Sequence, residues 1–336
     1  MIYSLASFTR TSRRIPYIGF YHADSNLQLL PRGSFVVFAP GADCPLTGAD
    51  FTSRGLHPVA FIGDDALMFT SNARCLERFS EAREWMYARG IVPLALMWSE
   101  EWYSRPEVKT WPYFDGYTRF AFANRLRDRV DEILSLLRGV MPGVPIVQVE
   151  ERWNDNPLHG ELLYRPPFTR ADVLGIDSYL FASGVPEWGT VPLTPDANQA
   201  MFAKFSTEVG RFVEHAATYG KPLMIVGQAF RIEQSALWSI APTPAQLEWY
   251  YILAQRTPAC VGLAWFAVDA WANGLLRPDM SAQAQRVLKG RQAAPINGKA
   301  GVGGHVDFGH AAHRRHNDGP AVGQALGQVA NAFGRE

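Results

Sequence analysis

The sequence predicts an α/β fold, a closed (β/α)8 TIM barrel over residues 1–285 with irregular early crossovers, followed by a Gly/His-rich C-terminal tail over residues 286–336. Three observations support this. Eight short apolar runs have the character of parallel strands, helical periodicity lies between the later runs, and the runs end in polar or aromatic residues. Alternating strands and helices are typical of a parallel barrel, which carries its functional groups at the carboxyl ends of the strands.

The eight predicted strands are near-continuous apolar runs, as expected for strands covered on both faces. They are Tyr17–His22, Phe35–Pro40, Pro58–Gly63, Val92–Trp98, Ile146–Glu150, Val173–Tyr179, Leu223–Gln228 and Val261–Ala267. Turn-forming glycine and proline precede several of them, as in residues 143–145 and 220–222.

Helices are predicted before the fourth, fifth, seventh and eighth strands. They are Leu76–Arg89, a stripe of apolar residues from Phe122 to Leu137, Asn198–Tyr219 and Pro244–Gln255. Thr243 is the expected N-cap of the last helix. The first two crossovers have only about a dozen residues each, close to the minimum for a parallel connection, and leave little room for full helices. A doubly wound sheet is the alternative, but the chain lacks the glycine-rich nucleotide motifs of such sheets.

Composition excludes some partners. The chain has 336 residues, with Lys plus Arg equal to Asp plus Glu at 32 each. Nucleic acid and anionic membranes favour a basic excess, so neither is expected as a partner. No apolar run reaches the roughly 20 residues of a membrane span, and the N-terminus lacks a secretion-signal layout. We expect a soluble protein, either cytoplasmic or delivered as part of a larger particle, and the oligomeric state stays open.

No cofactor or metal is expected. Cys44, Cys75 and Cys260 have no metal-ligand spacing and are interpreted as reduced, buried thiols. The tail spaces His310, His313 and His316 three residues apart, but no Cys and no set of acidic residues accompanies them. This Gly-rich segment is interpreted as a solvated tail.

The fifth predicted strand ends in two adjacent carboxylates. Side chains on a barrel strand alternate between the interior and the helix layer. Gln148 and Glu150 share one parity, and Val147 and Val149 share the other. Because an apolar set suits the helix layer, we predict that Gln148 and Glu150 point into the barrel, and that Glu151 faces outward.

The ends of other predicted strands contribute further candidate residues to the carboxyl rim of the barrel. Asp177 and Gln228 are predicted to be the inward polar residues of the sixth and seventh strands. The remaining candidates, at or just after the ends of other runs, are His22, Asp64, Trp98, Glu100, Tyr179, Trp265 and Asp269. Acidic and aromatic residues around one rim suit a carbohydrate pocket, since aromatic rings stack on sugars while carboxylates and amides bind hydroxyls. Two carboxyl groups can also supply acid and base, or acid and nucleophile, for glycosidic cleavage.

Three segments, residues 172–179, 221–230 and 262–266, resemble late barrel strands of clan-A-type glycoside hydrolases. The resemblance spans roughly residues 15–275 and is one of pattern. It implies an acid/base Glu at the end of the fourth strand, usually after Asn, and a nucleophile Glu at the end of the seventh. Here Glu150 follows Val149 on the fifth run, and the seventh-strand position is Gln228, which cannot act as a carboxylate nucleophile.

The sequence therefore predicts a glycoside hydrolase acting on an oligo- or polysaccharide. Glu150 is the predicted general acid, and Asp177, Glu151 and Glu100 compete for the second role. Gln228 and Tyr179 are expected to hydrogen-bond the substrate. Substrate-assisted cleavage, with a carboxylate pair stabilising the assisting group, stays open.

The aromatic candidates Trp98 and Trp265 are expected to stack on the sugar, while His22, Asp64 and Asp269 complete the substrate contacts. The alternative function is that of a non-catalytic glycan-binding or assembly protein, such as a phage or cell-surface particle component, built on a degenerate glycosidase barrel.

Overall fold

A computed structural model shows a closed barrel of eight parallel strands among the residues it describes. Those residues are 14–21, 27–98 except 64, 119–151, 170–178, 220–231, 244–257, 259–266 and 273–274, with residues 210, 213, 242 and 287. The barrel strands, in their order around the barrel, are β1 Tyr17–Tyr21, β2 Phe35–Phe38, β3 His57–Phe61, β4 Ala95–Trp98, β5 Ile146–Glu151, β6 Val173–Ser178, β7 Leu223–Gln228 and β9 Cys260–Phe266.

The barrel closes through parallel pairing of β1 with β9, in which Tyr17 lies opposite Gly262 and Phe20 opposite Trp265. This confirms the (β/α)8 prediction and excludes the open doubly wound sheet. A separate antiparallel pair joins β8 Phe230–Arg231 to β10 Asn273–Gly274.

Four α-helices are described: α1 Gly48–Arg54, α2 Asn72–Ala88, α3 Arg119–Val140 and α4 Pro244–Arg256. The early crossovers are irregular, as predicted. A short 3-10 turn at Leu27–Leu29 connects β1 to β2, and the seven-residue α1 connects β2 to β3. The predicted helix Asn198–Tyr219 lies almost wholly outside the described residues. None of the described helices has the length and apolarity needed to cross a membrane.

Local caps explain where helices begin. The Asp50 carboxylate accepts hydrogen bonds from the Thr47 backbone N–H at 2.8 Å and from its hydroxyl at 2.7 Å, which starts α1. These bonds hold the pKa of Asp50 below its usual value. The Ser71 hydroxyl accepts from the Arg74 backbone N–H at 3.3 Å, so α2 begins four residues before the predicted Leu76.

Two apolar cores lie on opposite sides of the barrel wall. We call the first the interior cluster, whose members alternate along the strands and fill the barrel; it includes Tyr21, Phe35, Val37, Val59, Ala95, Met97, Val147, Val149, Val173, Met224, Val226, Ala264 and Phe266. The second, the helix-layer cluster, joins the outer faces of the strands to the helices. Val287 is fully buried in that second cluster, and the domain boundary at residue 285 stays a prediction.

The amino half of the barrel interior is filled by apolar side chains. An apolar cavity of about 30 Å³ remains there, beside Tyr17, Phe35, Val59 and Val173. This volume is about the size of one water molecule, but an apolar lining offers water no hydrogen bonds. Among the described residues, the buried polar side chains in phase with the interior, Asp177 and Gln228, lie nearer the carboxyl ends of the strands.

Arg129 of α3 ties this helix to the connection between β3 and α2. Its guanidinium donates to the backbone carbonyls of Met68 at 3.2 Å and Thr70 at 2.6 Å. It also bonds the Asn72 side chain and forms an ion pair with Glu132 at 2.6 Å. Arg129 is only 11% exposed whereas Glu132 is 47% exposed, so the guanidinium is largely shielded from solvent while it holds the chain that leaves the carboxyl end of β3.

The barrel interior requires glycine at position 19. A Cβ there would lie 2.1 Å from the Phe35 ring. We expect Gly19→Ala to lower the free energy of unfolding by about 1–3 kcal/mol, measured by urea denaturation. The matched control is Gly139→Ala in α3, where a Cβ meets nothing within 4 Å and where we expect no loss. Adding Phe35→Leu to Gly19→Ala should recover part of the loss. Equal stability of Gly19→Ala and the wild type would contradict this packing.

Glu132 should make stability depend on pH. Hydrogen bonds from Asn72 and then Arg129 lower the pKa of Glu132 below its ordinary 4.5. A lowered folded-state pKa means that the stabilisation is present above pH 4.5 and is lost as pH falls through the folded-state value. We expect the stability difference between wild type and Glu132→Gln to be constant at neutral pH and to shrink below pH 4.5. Glu81→Gln on exposed α2 surface controls for general charge loss. A difference that does not change with pH would contradict this role.

Candidate functional site

The alternation on β5 is the reverse of the predicted one. Val147 and Val149 belong to the interior cluster, whereas Ile146 belongs to the helix-layer cluster. Glu151 therefore occupies a position in phase with the interior, and Glu150 a position in phase with the helix layer. The prediction was wrong because a filled barrel is itself an apolar core, so an apolar set of positions does not identify the helix side.

Gln148 is corrected in the same way. It is fully buried, it lies opposite Trp98 in the β4–β5 register, and it shares the phase of Ile146. Neighbouring residues in parallel register lie on one face of the sheet, and Trp98 belongs to the helix-layer cluster. Gln148 is thus a buried amide on the outer face of the barrel wall.

Asp177 on β6 lies on the interior face, as predicted. It is in phase with Val173 of the interior cluster, whereas Ile176 belongs to the helix layer. Its exposed fraction is only 2%. Burying a carboxylate is costly unless the surroundings compensate, so such a group at a strand end is a candidate functional residue.

Register places a second acidic residue beside Asp177. In the parallel pairing of β5 with β6, Glu151 is the partner of Asp177. Neighbouring strands lie about 4.8 Å apart, so the two Cα atoms are neighbours on the same face. Gln228, fully buried, follows on β7 in phase with Met224 and Val226 of the interior cluster. We call Glu151, Asp177 and Gln228 the polar sector.

On four other strands the last residue in phase with the interior is aromatic or apolar. We call Tyr21, Phe61, Met97 and Phe266 the aromatic sector, contributed by β1, β3, β4 and β9. The Tyr21 hydroxyl donates to the Met97 thioether, and its ring centroid lies 5.7 Å from that of Phe266. One side of the barrel mouth is thus polar and the other aromatic, an arrangement suited to sugars, which have hydroxyl edges and apolar faces.

Tyr21, Phe61 and Phe266 are not among the site residues predicted from the sequence. A signal for the interior phase was present, since glycine within a strand marks close approach of another group. Gly19 is in phase with Tyr21, and Gly175 is in phase with Asp177. An added Cβ at Gly175 would meet the side chain of Val149, its register partner on the neighbouring strand, at 2.8 Å.

Trp98 and Trp265 do not lie in the barrel mouth. Both are fully buried in the helix-layer cluster. Trp98 makes an edge contact with Phe79 of α2 at 6.3 Å, and Trp265 packs against Tyr250 of α4 at 5.4 Å. The prediction that these rings stack on sugar is therefore corrected. Large aromatic side chains here fill the space between strand and helix.

Five predicted site residues lie outside the described part of the chain: His22, Asp64, Glu100, Tyr179 and Asp269. For Glu150 and Glu151 the structure describes the backbone on β5 but not the side chains. Their roles stay predictions. Among the described residues, no group of three His, Cys, Asp or Glu side chains could hold a metal ion.

Asp172, just before β6, fixes the register that forms the polar sector. Its backbone N–H donates to the Ile146 carbonyl at 2.8 Å, and its carboxylate accepts from the Ile146 N–H at 2.8 Å. Arg138 donates to the same carboxylate oxygen at 2.7 Å. Burial lowers the pKa of nearby Lys221, while the Asp172 charge opposes that change. Residue 146 lies opposite residue 172 at the amino end of the two strands. Five residues further along both strands, residue 151 therefore lies opposite residue 177.

Cysteine cross-linking can test this register without an activity assay. The Cα spacing of about 4.8 Å between register partners lies inside the range that disulfides span. We expect the pair Glu151→Cys and Asp177→Cys to form a disulfide under mild oxidation, detected by mass spectrometry. The control pair, Glu150→Cys with Asp177→Cys, should not. Adding Asp172→Ala to the first pair should slow its cross-linking. Preferential cross-linking of the control pair would contradict the register.

Comparison with known proteins gives a fold relationship. No family model matches the sequence, and no curated protein matches it. A β-galactosidase from Marinomonas ef1 has a TM-score of 0.53 at 13% identity, covering 81% of this chain and 58% of its own. An endo-β-1,4-mannanase from Cellulomonas fimi has a TM-score of 0.51 at 10% identity, covering 83% of this chain and 70% of its own. The chain thus spans less than two thirds of the galactosidase. The predicted resemblance to glycoside hydrolase barrels is confirmed at the level of fold.

Proposed function

We propose that this chain hydrolyses glycosidic bonds in an oligo- or polysaccharide at the carboxyl end of its barrel. The observation that carries the proposal is the register pairing of Glu151 with Asp177 on the interior face. Gln228 stands on the next strand and the aromatic sector lies opposite. The fold likeness to a galactosidase and a mannanase supports the choice of reaction class, and the polar sector supports the choice of location.

The phase of β5 changes the assignment of the acid. Glu151, rather than Glu150, is in phase with Asp177, so we assign the acid and its partner to Glu151 and Asp177. On this proposal, one of the two carboxyl groups is protonated and donates its proton to the glycosidic oxygen. The ionised partner then stabilises or attacks the positively charged anomeric carbon, and water completes hydrolysis.

The separation of the two groups bears on stereochemistry. Retaining enzymes hold their two carboxyl groups about 5–5.5 Å apart, and register partners about 4.8 Å apart at Cα can present their carboxyl groups at that spacing. The inverting spacing of about 6.5–9.5 Å leaves room for a water between the groups. Glu100, two residues beyond β4, stands nearest to the fourth-strand position of the resembled family and is the alternative second carboxylate.

Burial sets a condition on this proposal. Asp177 is 2% exposed and Gln228 has no exposed surface. A sugar reaches them only if the residues that cover them move, as lids do in many enzymes. The same opening and closing would exclude water from the reacting groups.

A non-catalytic glycan-binding function is the second candidate. It is favoured by Gln228 on the interior face of β7, since β7 is the strand on which the resembled family has its nucleophile. An amide can hydrogen-bond a sugar hydroxyl but cannot form a glycosyl ester. On this reading the polar sector binds sugar without cleaving it, and the wild type would bind glycans without releasing any product.

Substitution of Glu151 and Asp177, with Glu150 as the control, separates these possibilities. We expect Glu151→Gln and Asp177→Asn each to lower kcat by about 10²–10⁴-fold, the size of a lost acid or base. Glu150→Gln is the matched control and should stay close to wild type. The measurement is reducing-sugar release from β-1,4-mannan and β-1,4-galactan. If Glu150→Gln alone abolished release, the interior assignment would be wrong. Glycan binding without any release would favour the second candidate.

A further inference from the structure

Phe61 is the last residue of β3 and lies in the aromatic sector. It packs against the interior cluster and is in phase with Val59, which is a buried member of that cluster. Unlike its neighbours at this level, it is only partly buried. Tyr21 is 1% exposed, Met97 has no exposed surface, and Phe266 is 6% exposed.

Partly exposed residues on the interior cluster show where solvent reaches it. Besides Phe61, they are Tyr17, Leu94 and Val261. Tyr17 begins β1, Leu94 precedes β4 and Val261 is the second residue of β9, so all three lie at the amino end. Of the partly exposed apolar residues that pack against this cluster in the described part of the chain, Phe61 is thus the one at the carboxyl end of the barrel. The polar sector lies at that same end.

The backbone at Phe61 is held by pairing with β4 and by the buried residue that follows it. Phe61 is the register partner of Met97 on β4, and the N–H of Ile62 donates to the Met97 carbonyl at 2.9 Å. Ile62 is buried in the helix-layer cluster, which anchors the chain directly after Phe61. A ring carried by a paired strand is positioned before a ligand arrives, so little conformational entropy is lost on binding.

We propose that Phe61 is the aromatic platform on which a sugar ring stacks at the barrel mouth, the part that the sequence had suggested for Trp98 and Trp265. This inference rests on the proposed carbohydrate site and adds a substrate-binding residue to it. The π-face of a phenyl ring is electron-rich and apolar, and it attracts C–H groups that carry partial positive charge.

Stacking on Phe61 also selects a class of sugar. A pyranose ring offers C–H groups as a continuous patch only on a face that carries no axial hydroxyl. The ligand is therefore a pyranoside with such a face turned to Phe61. Its hydroxyl edge can then reach the amide and carboxylates of the polar sector on the other side of the mouth.

The test measures binding of cellohexaose, mannohexaose and β-1,4-galactohexaose to the full chain by calorimetry. For the probe that binds best, we expect Phe61→Leu to raise Kd about five- to tenfold, in line with the known size of aromatic contacts. Phe61→Trp restores a π-face and should bind within about twofold of wild type. Tyr17→Leu removes an aromatic ring from the amino end of the same cluster and is the matched control. Thermal unfolding of each variant separates loss of binding from loss of fold.

The outcomes distinguish this inference from the proposed function. If Asp177→Asn loses the probe while Phe61→Leu binds like the wild type, the platform is wrong and the polar sector stands. If Phe61→Leu weakens binding but no probe is cleaved, the platform stands and hydrolysis fails. Where a probe is cleaved, the loss of stacking should raise KM and leave kcat unchanged, the pattern of uniform binding. Failure of the wild type to bind any of the three probes overturns the inference.

Discussion

The parallel register of β5 against β6 is the constraint on which the carboxyl end of the barrel depends. Side chains alternate between two faces along a strand, so a slip of one residue would exchange every interior position for a helix-layer position. Asp172 opposes such a slip with two hydrogen bonds to Ile146, one from its own N–H and one to its carboxylate. An interaction at the amino end of the sheet thereby determines which residue lies beside Asp177 at the other end.

The two ends of the interior have different tasks. The amino half is apolar and closely filled, with Gly19 leaving room for Phe35, and it stabilises the closed barrel. The carboxyl end has a polar sector on three consecutive strands and an aromatic sector on four of the other five. This gradient confines polar chemistry to one mouth of the barrel, where connecting segments can vary without disturbing the core.

Most of the fold could be predicted from the sequence, because continuous apolar runs and helical stripes depend on local periodicity. All eight predicted runs match barrel strands, and α4 begins at the predicted Pro244. The faces of the strands were harder to predict, because both sides of a barrel wall are apolar. The interior face was predicted correctly for Asp177 and Gln228, because each is a single polar residue in phase with smaller apolar residues. Glu150 and Gln148 were misplaced because valine suits the interior as well as the helix layer.

The aromatic residues show the same limit. Tryptophan at a strand end suggests a sugar platform, yet Trp265 packs against Tyr250, and Gly227 leaves space for both rings. The need to fill the gap between strand and helix is a tertiary effect that one sequence does not display. Phe61, by contrast, is distinguished only by its exposure at the carboxyl mouth.

The central claim is that a sugar binds inside the carboxyl mouth of the barrel, between the polar and aromatic sectors. A crystal structure of the chain soaked with an oligosaccharide tests it most directly. We expect electron density for a pyranose ring in this mouth, with hydroxyls within hydrogen-bond distance of Asp177 and Gln228. Sugar density confined to the outer surface of the barrel, with the mouth unchanged and closed, would contradict the account.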